Sequence, residues 1–287
     1  MITALNFMLA PFVTTIILLV ITVYFGIHVI QREIIFIDIA LAQIAALGSA
    51  VSLVLQNMAG EHAAHVHDHD SRTLLAYVFC IAAAAVFTLL KNKQIRIPLE
   101  ALIGIAYAVA TTSAVIILDK GAGSDVHIHD MLTGNILWVS WHQNFRLLLM
   151  VGIIGGFHII FRRKFRSITM TYSGKTTEIK NPGLWDFLFY LSFGIVIVEA
   201  VSIGGIITIF AFLIIPASIS AIFATQWTTR IIIGLSVGCL GAVMGLYLSW
   251  IMDIPCSPAI IMFLGVFLLL SVLIGYVNKI MRKRTVR

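Results

Sequence analysis

The stretch GGIITIFAFLIIPASISAIFA, residues 204–224, decides how this chain is to be read. It is apolar for the roughly 20 residues that a bilayer-spanning helix requires, yet it holds Pro216 in its interior and small residues along its length. A proline there frees one carbonyl and kinks the helix unless neighbours satisfy the lost bond. Thr208, Ser218 and Ser220 lie on the same segment as candidate partners. Taken alone, the pattern fits a kinked, closely packed helix of any multi-span protein as well as a pathway helix of a transporter. The flanking sequence has to separate the two.

Hydrophobic residues make up 60% of the 287 residues and charged ones 11%, with a mean hydropathy of +1.03. Soluble domains carry about one quarter charged residues, so the composition excludes a soluble globular protein. It leaves too little polar sequence for a second domain, and residues 1–287 are expected to form a single transmembrane domain. The net charge of +6 does not point to nucleic acid, because the basic residues sit at the ends of apolar segments. Cys80, Cys239 and Cys256 lie in or beside those segments without CxxC spacing. They read as small packing residues, and neither a disulfide framework nor a thiolate metal site follows. The N-terminus lacks a basic leader and a small-residue cleavage site, so residues 9–30 are expected to be a retained span.

By length and hydropathy, spans are expected near 9–30, 34–56, 73–91, 99–118, 145–161, 184–203, 205–224, 231–251 and 257–278. The fold class is therefore all-α and integral to the membrane, with about nine transmembrane helices. Only Gly204-Gly205 divides the sixth span from the seventh, and eight spans result if one of that pair is re-entrant. Of the 19 Lys and Arg, all but Arg72, Lys120 and Arg146 fall on one alternating set of connections. Cytoplasmic connections carry the excess of basic residues. That places the N-terminus outside and the C-terminus in the cytoplasm, and it agrees with an odd number of spans.

The same topology sorts the histidines. All nine except His28 and His158 fall in the two longest outer connections. The extracytoplasmic loop 57–72 contains EHAAHVHDHD, with His62, His65, His67 and His69 spaced by two and three residues and Asp68 and Asp70 interleaved. Imidazole and carboxylate at this density suit a borderline divalent cation such as zinc. A polar loop that collects metal loosely is the competing reading. His127 and His129 repeat the pattern in the second loop, with His142 further on. Two such clusters on one face make metal handling the leading idea.

Three stretches together resemble the membrane permease of ABC importers for zinc, manganese and iron. They are IIFIDIALAQIAALGSAV (34–51), IPLEALIGIAYAVA (97–110), and the run from GIVIVEAVSIGGIITIFAFLIIPASISAIFA (194–224) to GLYLSWIMDIPCSPAIIM (245–262). GNIL (134–137) also looks like the family's pattern. The resemblance implies a transport subunit of the cell (inner) membrane, not an enzyme, with no intrinsic cofactor and a divalent metal ion as its substrate. It implies a homodimer or a paired permease, a cytoplasmic ABC ATPase in a separate chain and an extracytoplasmic metal-binding protein.

Two departures qualify the resemblance. The family commonly has a histidine in the second span, in a pattern like D-A-L-S-H-x-x-x-P-G. Aligned on Gly48, this chain has Gln43 at the histidine, Leu47 at the proline and Ile39 at the aspartate, with Asp38 one residue earlier. An amide oxygen is a much poorer zinc ligand than imidazole. The cytoplasmic coupling loop 162–183, which includes RSITMTYSGKTTEIKNPG, lacks the acidic-alanine-glycine pattern of the family's coupling element. Its position still makes Lys175, Glu178, Pro182 and Gly183 the expected contacts to the ATPase. Ser173-Gly174-Lys175-Thr176 is not a phosphate loop, because Thr169 stands where a Walker motif needs glycine.

Ionisable residues at membrane depth are costly and usually line an interior. Asp38, Gln43, Glu199 and Pro216 are the expected pathway residues, with Glu199 near the outer end of the sixth span. For Gln43 an interhelical hydrogen bond is the plainer role, and for Glu199 a bond to a backbone or hydroxyl donor. Glu100 is expected to complement the positive end of a helix dipole, and Asp253 to be a turn residue or a docking point. His28 and His158 read as interfacial residues. Gly234–Gly238 and Gly241–Gly245 have the spacing of a helix interface, or of simple packing within the chain. Two other classes stay open: a secondary transporter driven by an ion gradient, which usually shows an internal inverted repeat, and a non-transporting membrane subunit of a metal-handling complex.

Overall fold

The computed structural model describes residues 2–59, 68–92, 97–119, 134, 136–172 and 180–285. Among them the regular structure is helical: α1 (Ile2–Arg32), α2 (Ile37–Ala59), α3 (Asp68–Asn92), α4 (Leu99–Asp119), α5 (Trp141–Ile160), α6 (Arg162–Tyr172), α7 (Pro182–Gly204), α8 (Ile206–Phe223), α9 (Trp227–Met252) and α10 (Cys256–Thr285). A single 3₁₀ turn, Ile136–Trp138, precedes α5. Every helix except α6 is long and apolar enough to cross a membrane, which makes nine spans among the described residues.

Local chemistry explains where the spans begin. Gly205 divides α7 from α8 with φ 76° and ψ 157°, a conformation that costs glycine little and other residues much. The sixth and seventh spans are therefore two helices. α5 opens at Trp141, four residues ahead of the expected boundary, because Ser140 and Gln143 form a reciprocal cap. The Ser140 N–H donates to Gln143 Oε1 at 2.8 Å, and the Gln143 N–H donates to Ser140 Oγ at 3.3 Å. Pro182 opens α7, where its missing N–H is not needed. The connection expected over 57–72 is helical at both ends, since α2 runs to Ala59 and α3 starts at Asp68.

The chain divides into two compact units, each built from discontinuous stretches. One comprises Met1–Ile30, Thr133–Gly155 and Ile203–Arg287, and the other Gln31–Leu132 and Gly156–Ser202. In the first unit α8, α9 and α10 pack on one another. A Cβ built on Gly241 or Gly245 would press on Leu264 or Ile260 of α10, and one on Gly234 or Gly238 would press on Val23 or Leu19 of α1. Of the two uses open to these four glycines, the structure shows packing within the chain. Lipid offers no hydrophobic gain for such contacts, so close approach and dispersion must supply the attraction. Gly26 of α1 lies against the Leu213 carbonyl of α8 in the same way. Polar groups add a pin between α1 and α5: the Thr14 hydroxyl donates to Asn144 Oδ1 at 2.5 Å, and Asn144 Nδ2 donates to the Ala10 carbonyl at 3.0 Å.

In the second unit α2 packs against α3 and α4. Gly48 permits the approach, since a Cβ there would sit 2.7 Å from the Leu75 carbonyl oxygen. Ile105, Val109 and Ile116 of α4 are exposed, as suits a helix whose solvent is acyl chain. The eleven residues of α6 are amphipathic. Phe165, Ile168 and Thr169 are buried, and Arg162, Arg163, Lys164 and Arg166 are exposed.

Candidate transport and coupling sites

Three of the four expected pathway residues belong to the second unit. Asp38 stands in the first turn of α2, where its charge complements the helix dipole. It is 2% exposed, and its Oδ1 has no hydrogen-bond partner among the described residues. A buried carboxylate oxygen in that state is stabilised by a proton or a cation. Gln43, on the same helix, is also buried. Five residues separate the two, about 140° around the helix axis, so α2 presents them on different faces. Glu199 lies near the end of α7 and accepts a hydrogen bond from the Tyr77 hydroxyl of α3 at 3.2 Å, which is the hydroxyl pairing considered for it. All three offer oxygen donors.

Pro216 belongs to the first unit and is buried in the middle of α8. It frees the carbonyl of Phe212. Thr208 and Ser220 do not relieve it: Thr208 Oγ1 has no partner among the described residues, and Ser220 donates to the Ala217 carbonyl at 2.7 Å. Asp253 takes φ 53° at the end of α9, and Ser249 donates to the Ile254 carbonyl at 2.6 Å, so the turn role expected of it holds. Glu100 occupies the first turn of α4. His28 and His158 are not interfacial. Both are buried: His28 packs edge-on against Tyr24 and Trp227, and His158 stacks on Phe165 at 4.0 Å and meets Ser192 at 2.8 Å. Aromatic neighbours compensate the lost water around each ring.

The residues expected to hold metal lie mostly outside the described structure. His62, His65, His67, His127 and His129 lie outside the described residues, as do Lys175 and Glu178, two of the expected ATPase contacts. Asp68, His69 and Asp70 form the first turn of α3, and His142 is exposed at the start of α5. Among the described residues no group of three His, Cys, Asp or Glu side chains is placed to hold a metal ion. Pro182 and Gly183 begin α7 immediately after Asn181, which has φ 58°.

The arrangement that sequence reasoning missed is a buried charge cluster in the second unit. Arg32, at the end of α1, donates through Nη1 to Asp186 Oδ1 of α7 at 3.0 Å, with both side chains at or below 1% exposure. Its Nε donates to Thr169 Oγ1 of α6 at 3.0 Å. Its guanidinium lies 3.7 Å over the Phe189 ring of α7. Lys91, at the end of α3, pairs with Asp186 Oδ2. The Tyr172 hydroxyl of α6 reaches Asp186 Oδ1 at 3.3 Å and the Tyr190 hydroxyl at 3.1 Å. Burial pushes the Tyr172 hydroxyl well above the ordinary tyrosine range, so it stays a neutral donor.

Asp186 thus joins four helices, and removing one partner of such a buried pair costs about 3–5 kcal/mol. A signal was present in the sequence, because Asp186 falls within the apolar stretch 184–203 and an acid there is unusual. Arg32 and Lys91 stand at the ends of apolar segments, where a basic residue ordinarily marks orientation.

Nine apolar spans among the described residues, buried acids within them and an amphipathic helix between the fifth and sixth define an all-helical integral membrane protein. It is a multi-pass protein of the cell membrane. The chain belongs to the ABC 3 transport family, whose profile matches residues 4–275. The manganese import system permease protein ScaB of Streptococcus parasanguinis is 25% identical over 207 residues, covering 70% of this chain and 71% of that protein. The manganese transport system membrane protein MntC of Listeria monocytogenes is 26% identical over 189 residues, covering 65% of this chain and 66% of its own length. Among solved structures, PsaBC from Streptococcus pneumoniae in complex with Fab is similar with a TM-score of 0.72 at 20% identity, over 92% of this chain and 90% of that one. At that identity the likeness speaks for the fold.

Proposed function

We propose that this chain is the permease subunit of an ABC importer for a divalent transition metal ion, with manganese the first candidate. The family match over residues 4–275 carries the reading, and the names of two relatives as manganese permeases support the choice of metal. Donor chemistry agrees. Asp38, Gln43 and Glu199 each offer oxygen, which suits manganese better than zinc, with Asp38 and Gln43 on different faces of α2 and therefore acting at separate points of the pathway. The outer histidines around 62–69 and 127–129 serve as a collector ahead of the pathway. Transport proceeds by alternating access in a homodimer or paired permease. Separate cytoplasmic ATPase subunits power it through the stretch 162–183, and an extracytoplasmic protein delivers the ion. The N-terminus lies outside and the C-terminus in the cytoplasm.

The test is accumulation of manganese, zinc, iron and cobalt in cells carrying the permease with its ATPase and binding protein. Expected is ATPase-dependent uptake of manganese, lost in Gln43→Ala and only weakened when His62–His69 are deleted. Uptake that persists with an inactive ATPase removes the ABC reading in favour of a gradient-driven transporter. No uptake of any metal leaves the non-transporting subunit.

A further inference from the structure

The second unit contains a closed circuit of side chains of which the proposed function uses only Glu199. α3 and α7 are pinned to each other twice. At one end Lys91 pairs with Asp186, and at the other Tyr77 donates to Glu199 at 3.2 Å. Thirteen residues separate Asp186 from Glu199 and fourteen separate Tyr77 from Lys91, so both pins are about 20 Å apart along their helices. The matched spacing requires α3 and α7 to run antiparallel. Between the pins Gly194 of α7 faces Cys80 of α3, where a Cβ would collide with the sulfur. Apart from Pro182 at its start, α7 carries no proline and stays continuous from one pin to the other.

The Asp186 pin also holds α6. Tyr172, the last residue of that helix, bonds to Asp186 and Tyr190. Thr169 receives Arg32, and Phe165 packs edge-on against Trp185 with centroids 5.5 Å apart. The chain leaves α6 at Tyr172 and re-enters described structure at Lys180, just before α7. A displacement applied to α6 or to the start of α7 therefore reaches Asp186, and through it the ends of α1 and α3.

We propose that Asp186 is a positioning residue for transport, making α3, α6 and α7 one lever whose far end is the Tyr77–Glu199 pin. Motion imposed by the ATPase at the coupling stretch is delivered about 20 Å away as a change in where the Glu199 carboxylate sits. Asp186 touches neither the ion nor the nucleotide. Its role is to keep the two ends in step, and it rests on the permease reading above.

The measurement is the number of manganese(II) ions taken up per ATP hydrolysed by the complete transporter in proteoliposomes. Wild type is compared with Asp186→Asn, Asp186→Glu, Lys91→Met and Tyr77→Phe. Expected are Asp186→Asn and Tyr77→Phe complexes that hydrolyse ATP at near wild-type rates with at least tenfold fewer ions moved per ATP. Asp186→Glu should recover much of the ratio, because it restores the charge. A residue that merely stabilised the fold would lower both activities together and leave the ratio unchanged, and that result overturns the proposal. If Asp186→Asn does not assemble, Lys91→Met and Tyr77→Phe decide by the same ratio, since each leaves Arg32 paired with Asp186. A wild-type complex that shows no ATP-dependent uptake of manganese, zinc, iron or cobalt refutes the permease reading itself, and the lever with it.

Discussion

Gly134 supports a quantitative prediction about the break that opens the seventh span. It has φ 63°, and a Cβ built on it would collide with the Gly204 carbonyl carbon and the Gly205 nitrogen. Both obstacles are backbone, so no side chain can swing aside. In Gly134→Ala the left-handed conformation costs about 1–2 kcal/mol. Overpacking adds about 1–3 kcal/mol, for a total of about 2–5 kcal/mol. At roughly 2 °C per kcal/mol for a chain of this size, the unfolding midpoint in detergent should fall by at least about 4 °C. Gly134→Asn separates the two causes. Asparagine tolerates positive φ but still carries a Cβ, so it should recover only the smaller share. Gly152→Ala is the control, because nothing lies within 4 Å of its built Cβ and alanine is the better helix former by about 0.5–1 kcal/mol. Full recovery in Gly134→Asn would refute the collision, and an unchanged midpoint in Gly134→Ala would refute both terms.

Two further outcomes follow from the packing. Asn144→Ala removes the side chain that ties the Thr14 hydroxyl and the Ala10 carbonyl to α5; the two keep each other, 2.8 Å apart, so stability should fall by only about 0.5–1.5 kcal/mol, read as a shifted midpoint. Gly194→Ala should destabilise by forcing a methyl onto the Cys80 sulfur, whereas Gly194→Ala with Cys80→Ala should recover most of the loss. A double-mutant coupling energy of about 0.5–3 kcal/mol is expected, and strict additivity would show that the two side chains do not compete for one space.

Much of the fold was legible because its causes are local. The nine spans follow from runs of apolar residues matched to bilayer thickness, and the described residues contain nine such helices. The boundary at Trp141 was missed by four residues because a Ser140–Gln143 cap starts a helix irrespective of hydropathy. The small-residue spacing on α9 announced a close contact but not its partner. Gly241 meets α10 while Gly238 meets α1, and that choice depends on the three-dimensional path of the chain. The two buried histidines went the same way: position near a helix end suggested an interface, whereas stacking on Phe165 and packing on Trp227 put both inside.

The sequence by itself determined an all-α membrane protein of eight or nine spans and the residue types offered along the second and sixth spans. Each is a property of composition or of neighbours within a few turns. Only the tertiary structure decided which charges meet. Arg32 and Asp186 are 154 positions apart, Lys91 and Asp186 are 95 apart, and Tyr77 and Glu199 are 122 apart. No periodicity links such pairs. Their meeting follows from helices that bury small residues closely enough for long polar side chains to reach across, in surroundings where a lone charge is too costly to leave unpaired.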